Sequence, residues 1–118
     1  MLLFKKRFLD AIRRGAKTQT IRVWKHCRMR AGQRSYIPGA GYIRVEAIEQ
    51  VRICDLTDED AHLDGFATLT QLHDEIAKIY PDHGGDGMKT FRIRFSLLPP
   101  DQQHKRAPRA VTDADDVR

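Results

Sequence analysis

The octapeptide Gly15-Ala16-Lys17-Thr18-Gln19-Thr20-Ile21-Arg22 follows a short basic segment and begins a run of β-forming residues. Side chains alternate between the two faces of a strand, so Thr18, Thr20 and Arg22 are predicted to share one face. Gly15 ends the preceding helix and leaves Lys17 at the turn. An ammonium, hydroxyls and a guanidinium on one surface suit a phosphate, a nucleotide or a polarised carbonyl. The alternative is a half-buried edge strand with solvated polar residues.

The charge of the 118-residue chain is concentrated around this octapeptide. Residues 1–36 carry eleven Lys and Arg side chains against one acidic residue, Asp10, whereas the remaining 82 residues carry ten basic and fifteen acidic side chains. A basic half of this kind is typical of proteins that bind a polyanion. A solvated surface that is simply rich in lysine and arginine is the alternative.

The order of predicted elements favours an α+β domain. Helices are expected over residues 6–14 and about 58–63, and again after Thr68, where Leu69, Leu72, Ile76, Ile79 and Tyr80 form a 3.6-residue stripe that we interpret as core. Strands are expected over residues 18–24, 42–54 and 88–98. This order lacks a βαβ rhythm and predicts a small mixed β-barrel with about three inserted or flanking helices.

One domain is expected over residues 1–98, because the last twenty residues offer almost nothing to bury. Residues 99–118 are therefore predicted to be a disordered C-terminal tail, and the glycine-bearing stretch 81–87 a simple connection. No run of apolar residues is long enough to span a bilayer. The first residues place apolar side chains before charges, the reverse of a secretory signal, so a cytoplasmic protein without membrane association is expected.

The sequence contains no pattern typical of a metal or cofactor site. Cys27 and Cys54 are too few for a disulfide framework, and free thiols are expected. Cys54 ends an apolar strand and is predicted to be a small core residue. His26 stands beside Cys27 without the spaced partners of a zinc site. No metal and no cofactor are expected, and the oligomeric state stays open.

The ordered motifs of the chain resemble the ASCH domain family. The Gly-x-Lys-x-x-Thr-x-Arg signature after a short helix is followed by Leu56-Thr57-Asp58-Glu59-Asp60-Ala61, Asp64-Gly65-Phe66, Ile79-Tyr80-Pro81 and the closing strand Phe91–Phe95. The resemblance covers roughly residues 1–98. It implies a PUA-like fold, an α+β domain built on a small β-barrel, and an RNA or nucleotide ligand in the cleft between barrel and helices.

One branch of that family, small bacterial amidohydrolases that deacylate N4-acetylcytidine, is similar in layout. The resemblance implies that Lys17 acts as base and Thr20 as nucleophile, and it places Gln71 where that branch has a catalytic glutamate. A glutamine forms hydrogen bonds but does not titrate, which weakens the enzyme interpretation. Glu75, one turn further along the helix, is a candidate replacement.

The sequence therefore predicts a domain that binds RNA or a nucleotide through a basic cleft. The predicted binding residues are Lys17, Thr18, Thr20, Arg22, Trp24, Lys25, Arg28 and Arg30, with Trp24 either stacking a base or packing in the core. The alternative is an N4-acetylcytidine amidohydrolase that uses Lys17, Thr20 and Gln71. A ribonuclease and a module that binds an acidic protein are further alternatives.

Overall fold

The structure is a computed structural model that describes residues 2–81 and 87–104. Four strands form one sheet in the order β1-β4-β3-β2: β1 is Gln19–Trp24, β2 is Arg34–Ile37, β3 is Gly41–Val51 and β4 is Lys89–Leu97. The three strand pairings among these residues are antiparallel, and the sheet curls into a half-barrel. The predicted α+β class is confirmed, but the sheet is antiparallel where a mixed barrel was predicted.

Three α-helices accompany the sheet: α1 is Lys6–Arg13, α2 is Asp58–Leu63 and α3 is Leu69–Ile79. Threonine side chains cap the N-termini of α2 and α3. The Thr57 hydroxyl accepts from the Asp60 amide and the Asp60 carboxylate accepts from the Thr57 amide, which forms a capping box. At α3 the Thr68 hydroxyl accepts from the Gln71 amide, but the Gln71 side chain accepts from the Ala67 amide instead of completing a box.

Gly15 ends α1 and sets the position of the octapeptide. Its φ of 78° lies in the left-handed region that favours glycine. This turn lets the amides of Ala16 and Lys17 donate to the Ala11 carbonyl, and the chain then enters β1 at the edge of the sheet. The helix-to-strand junction predicted from the sequence is confirmed.

The apolar core consists of two clusters. The first joins α1 to the concave face of the sheet and includes Ile12, Ile43 and Ile93, all buried. The second joins α2 and α3 to β1 through Ile21, Leu72 and other residues. The predicted last strand is present as β4, in which Phe91, Ile93 and Phe95 are buried while Arg94 is exposed. Of the α3 stripe, Leu72 and Ile76 are buried, but Ile79 is 46% exposed and is not a core residue.

The predicted strand 42–54 ends earlier than expected. β3 has an irregular register between Val45 and Ala47 and stops at Val51, after which Ile53–Asp55 form a 3-10 helix. Cys54 lies in this turn and is exposed, so the prediction that it is a core residue is wrong. The change of direction after β3 carries its side chain away from the sheet.

Residues 99–104 lie beyond the predicted domain boundary and contact the sheet. Pro100–Gln102 form a 3-10 helix, the Gln103 amide donates to the carbonyls of Tyr42 and Leu98, and Arg34 donates to the carbonyls of Gln102 and His104. The rest of the predicted tail, 105–118, and most of the predicted connection, 82–86, lie outside the described residues. Within the described ranges, no helix has the length and apolar character needed to cross a membrane.

Candidate functional site

A cavity of about 270 Å³ lies where the two core clusters meet, between α1, β1 and α3. Its polar residues come from the octapeptide and from the end of α2, and its walls are aromatic and aliphatic. The polar group is Lys17, Thr20, Arg22 and Asp64, the rings are Phe4, Phe8, Phe66 and Tyr80, and the aliphatic residues include Leu3, Ile21, Leu72, Ile76 and Ile79.

Lys17 is buried in this cavity and paired with Asp64. The two residues are 2% and 4% exposed. The Lys17 ammonium donates to the Asp64 carboxylate, to the Asp64 backbone carbonyl, and at 3.0 Å to the Gln19 carbonyl. An ammonium has three N–H donors, so these three acceptors saturate it. Lys17 is therefore a fixed internal charge and not an open phosphate-binding cation.

Burial acts on both members of this pair. It lowers the pKa of Lys17, with Arg22 adding to the effect and Asp64 opposing it. It also raises the pKa of Asp64, which the Lys17 charge opposes. Desolvation disfavours the charged form of each group, so both shifts reduce the cost of moving the shared proton from nitrogen to oxygen.

Arg22 reaches the cavity from β1 and orients Thr20. Its Nε donates to the Thr20 hydroxyl at 3.0 Å, its Nη2 donates to the Leu3 carbonyl at 2.8 Å, and it is hydrogen-bonded to the Tyr80 side chain. Its guanidinium carbon lies 4.7 Å from the centroid of the Phe4 ring. A guanidinium has five N–H donors, so Arg22 retains donors beyond these bonds for a ligand.

The aromatic walls are held by contacts with the cations. Lys17 Nζ lies 4.8 Å from the Phe8 ring centroid and 5.5 Å from that of Phe4. Phe8 and Phe66 meet edge to face with centroids 5.5 Å apart. Phe66, from the Asp64-Gly65-Phe66 motif, is thus a wall of the cavity.

Glu75 closes one side of the cavity as part of an ion-pair cluster. Its carboxylate contacts Lys5 Nζ at 2.8 Å and Arg7 Nη2 at 2.7 Å. Hydrogen bonds from Lys5 and Arg7 lower its pKa against the opposing effect of burial. Glu75 therefore lines the cavity as a paired carboxylate, a state suited to holding α1 against α3 and not to donating a proton.

Gln71 does not line the cavity. It is exposed at the first turn of α3, where its side chain accepts from the Ala67 amide at 3.0 Å. The structure thus separates the residue at the family's glutamate position from Lys17 and Thr20. This contact holds the turn before α3, because Ala67 precedes the N-cap residue Thr68.

The remaining predicted binding residues lie elsewhere. Trp24, Lys25 and Arg28 line a second concavity, described below. Thr18 lines neither space, and its backbone joins Leu63 and Phe95. Arg30 is exposed and also lines neither. Six of the predicted binding residues divide between these two spaces, with Lys17, Thr20 and Arg22 in the cavity and Trp24, Lys25 and Arg28 in the second concavity.

Asp64 is the cavity residue that sequence reasoning missed. Its local signal is its position before Gly65, whose φ is 96°. A Cβ at Gly65 would lie 3.5 Å from Lys17 Cδ and 3.6 Å from Phe8. The turn after α2 therefore packs directly against the lysine. Across the described residues, no group of three His, Cys, Asp or Glu side chains is arranged to hold a metal ion.

No family model matches the chain, and no curated protein matches it in sequence. Solved structures share its fold. An ASCH domain from Lactobacillus crispatus JV V101 superposes with a TM-score of 0.60 at 13% identity, over 75% of this chain and 69% of that one. Protein EF3133 of the DUF984 family, from Enterococcus faecalis V583, has a TM-score of 0.60 at 16% identity, over 86% of this chain and 76% of that one. The hypothetical protein PH0355 has a TM-score of 0.68 at 14% identity, over 81% of this chain and 95% of that one. The chain has an ASCH-like fold, as the motif resemblance implied.

Proposed function

We propose that this chain is an ASCH-type domain that binds the base of a nucleotide or of RNA in the cavity between α1, β1 and α3. The observation that carries the proposal is the combination of aromatic walls with buried polar groups in one small space. Aromatic rings stack bases, and polar side chains read their edges. The volume of about 270 Å³ lies just below the range of about 300–1,000 Å³ that is usual for drug-sized ligands, so it suits one nucleoside.

The charge pattern of the cavity favours base recognition over phosphate recognition. Lys17 is saturated by protein acceptors, and its charge is balanced by Asp64. Arg22 donates and does not accept, so it selects a base edge that presents acceptors, such as O2 and N3 of cytosine or O6 and N7 of guanine. Thr20, held by Arg22, adds a hydroxyl that both donates and accepts.

The test is calorimetric titration of the protein at low salt with the four ribonucleosides and their 5′-monophosphates. Ile79 lies at the exposed rim of the cavity, so Ile79→Trp should block entry of a ligand without altering a buried residue. Lys78→Trp, an exposed neighbour that does not line the cavity, is the matched control. We expect the parent protein to bind at least one of these ligands, the Ile79→Trp variant to lose that binding, and the Lys78→Trp variant to retain it. The proposal fails if no nucleoside or nucleotide binds the folded protein, or if Ile79→Trp binds like the parent.

Amide hydrolysis on an acylated nucleoside is the second candidate, and the pairing of Lys17 with Asp64 favours it. In this scheme Lys17 passes a proton to Asp64 and its amine turns from Asp64 to Thr20, where it accepts the hydroxyl proton while Thr20 Oγ1 bonds to the acyl carbon. The C–N bond then breaks as a proton returns to the leaving amine, and water cleaves the resulting acyl ester. In this scheme Asp64 supplies the carboxyl group that neither Gln71 nor the paired Glu75 supplies.

Release of cytidine from N4-acetylcytidine, followed by chromatography, tests this candidate. Thr20→Val removes the hydroxyl at nearly constant volume, and Thr20→Ser keeps it. We expect release by the parent and by Thr20→Ser, none by Thr20→Val, and an unchanged rate in Gln71→Ala. Binding of N4-acetylcytidine by the folded parent protein without release of cytidine would eliminate hydrolysis and leave the binding proposal standing.

A further inference from the structure

A second concavity of about 470 Å³ opens beside the cavity, on the segment that follows β1. Its apolar wall is formed by Leu2, Trp24 and Met29, and its rim by Lys25, His26 and Arg28. We name it the Trp24 groove. Its wall is half-buried or buried, while its basic rim residues are exposed. An apolar wall with a cationic rim matches a ligand that has a flat ring and an anionic group.

The Trp24 groove and the cavity are neighbours along two chain segments. Leu2 lines the groove while Leu3 lines the cavity, and on β1 Trp24 lines the groove while Arg22 lines the cavity. Arg22 donates to the Leu3 carbonyl, which ties the two segments together between the spaces. Residues two apart on a strand are separated by about 7 Å, a step that the sugar and phosphate of one nucleotide can span.

Trp24 is fixed as a rigid wall of this groove. Its ring packs against Phe91, with centroids 6.0 Å apart, and it borders the first core cluster. This contact answers the question that the sequence left open, because Trp24 packs on the core with one part and lines the groove with another. A ring held in this way loses little conformational freedom when a base stacks on it.

The structure describes no acidic partner for the cations of the rim. Within residues 2–81 and 87–104, neither Lys25 nor Arg28 takes part in an ion pair. By contrast, Lys17 in the cavity is fully compensated by Asp64. The cavity therefore supplies groups suited to reading a base, and the groove supplies open positive charge suited to a phosphate.

We propose that the Trp24 groove binds the nucleotide next to the one whose base enters the cavity, so that the ligand is a single-stranded oligonucleotide. A base stacks on Trp24, and Lys25 and Arg28 neutralise the adjoining phosphates. This inference rests on the proposed function of the cavity. Continuous stacking with a cationic backbone track is how single strands are bound without base pairing.

Trp24 is the only tryptophan of the chain, so its fluorescence reports on the groove directly. The protein is titrated with the four ribonucleosides and with the four homotetranucleotides as RNA and as DNA. Calorimetry measures binding, and Trp24 emission measures stacking. We expect at least one tetranucleotide to quench Trp24 and to bind about tenfold more tightly than its nucleoside, which corresponds to the lower end of the stacking energy of one base.

The matched variants separate the groove from the cavity. Lys25→Ala/Arg28→Ala should reduce the slope of log affinity against log salt by about 1.4, since each phosphate contact on a single strand contributes about 0.7. It should leave nucleoside binding unchanged. Lys6→Ala/Lys78→Ala removes the same charge from exposed sites outside both spaces and should change neither the quenching nor the preference for a tetranucleotide over its nucleoside.

Each outcome bears on one proposal or on both. Quenching of Trp24 by RNA, by DNA or by both supports the groove proposal. Comparing the affinities for ribo- and deoxyribotetranucleotides identifies which polymer is preferred. If nucleosides bind but tetranucleotides bind no more tightly and leave Trp24 unquenched, the groove proposal is overturned and the cavity proposal survives. The groove proposal is also overturned if Lys25→Ala/Arg28→Ala and Lys6→Ala/Lys78→Ala have equal effects on tetranucleotide binding. Absence of binding by every ligand overturns both.

Discussion

The Lys17 ammonium donates to both the carboxylate and the backbone carbonyl of Asp64, a residue 47 positions away in the sequence. This contact joins the start of β1 to the end of α2 and builds the polar part of the cavity. It is a buried ion pair, and its two members shift towards their neutral forms for the same reason, which is desolvation. The first prediction follows from that relationship.

Lys17→Met should leave Asp64 buried without its counter-charge and lower the free energy of unfolding by about 3–5 kcal/mol near neutral pH. The pKa of Asp64 then lies further above its ordinary value of 3.8. Because the folded state binds the extra proton, stability should fall as pH rises above 3.8, by at most about 1.4 kcal/mol per pH unit. Denaturant unfolding from pH 4 to pH 7 measures this slope.

Lys17→Met/Asp64→Asn is the control for that slope. It removes the titrating carboxyl group, so its stability should lack the pH dependence of Lys17→Met over the same range. Equal slopes in the two variants would contradict the assignment of the pH effect to Asp64.

Asp60→Asn should lower the free energy of unfolding by about 1.5–3 kcal/mol, the usual range for hydrogen bonds to charged groups. The Asp60 carboxylate accepts from the Thr57 amide at 2.9 Å, from Arg92 at 3.0 Å and from Gln19 at 3.1 Å. These bonds lower its pKa against the opposing effect of burial. Asp58→Asn, an exposed change in the same helix turn, should cost much less in the same denaturant measurement.

Glu75→Gln should cost at most about 1 kcal/mol, since its partners Lys5 and Arg7 are largely exposed and such pairs are screened by solvent. The pKa of Glu75 is lowered in the folded state from an ordinary value of 4.5. The parent protein therefore holds this stabilisation above pH 4.5 and loses it as pH falls through the lowered folded pKa. Raising the salt concentration at pH 7 should reduce the difference in free energy of unfolding between parent and variant. A difference that grows with salt would contradict the ion-pair explanation.

Gly39→Ala should destabilise the protein more than Gly32→Ala. Both glycines have φ near 88°, and an alanine in this region costs about 1–2 kcal/mol. An added Cβ at Gly39 would also lie 2.6 Å from Leu9 Cδ1, whereas at Gly32 it meets nothing within 4 Å. Thermal unfolding compares the two variants, and equal costs would show that the Leu9 side chain moves aside without loss of stability.

Much of the fold was predictable because its signals are local. The end of α1 at Gly15, the caps at Thr57 and Thr68 and the alternation of β4 each depend on residues within a few positions of one another. Such signals act through local backbone geometry and do not depend on where the segment packs in the fold. The octapeptide likewise places Thr20 and Arg22 on one face of β1, and their side chains are hydrogen-bonded at 3.0 Å.

The sequence by itself determined the helices, the edge strand and the polar residues that it carries. Only the tertiary structure decided that Asp64 neutralises Lys17, that Gln71 lies outside the cavity, and that the basic residues divide between the cavity and the Trp24 groove. The physical reason is distance along the chain. Strand alternation and helix capping are fixed by neighbours, whereas a buried charge takes its partner from whichever distant segment the packing of the core brings within hydrogen-bonding reach.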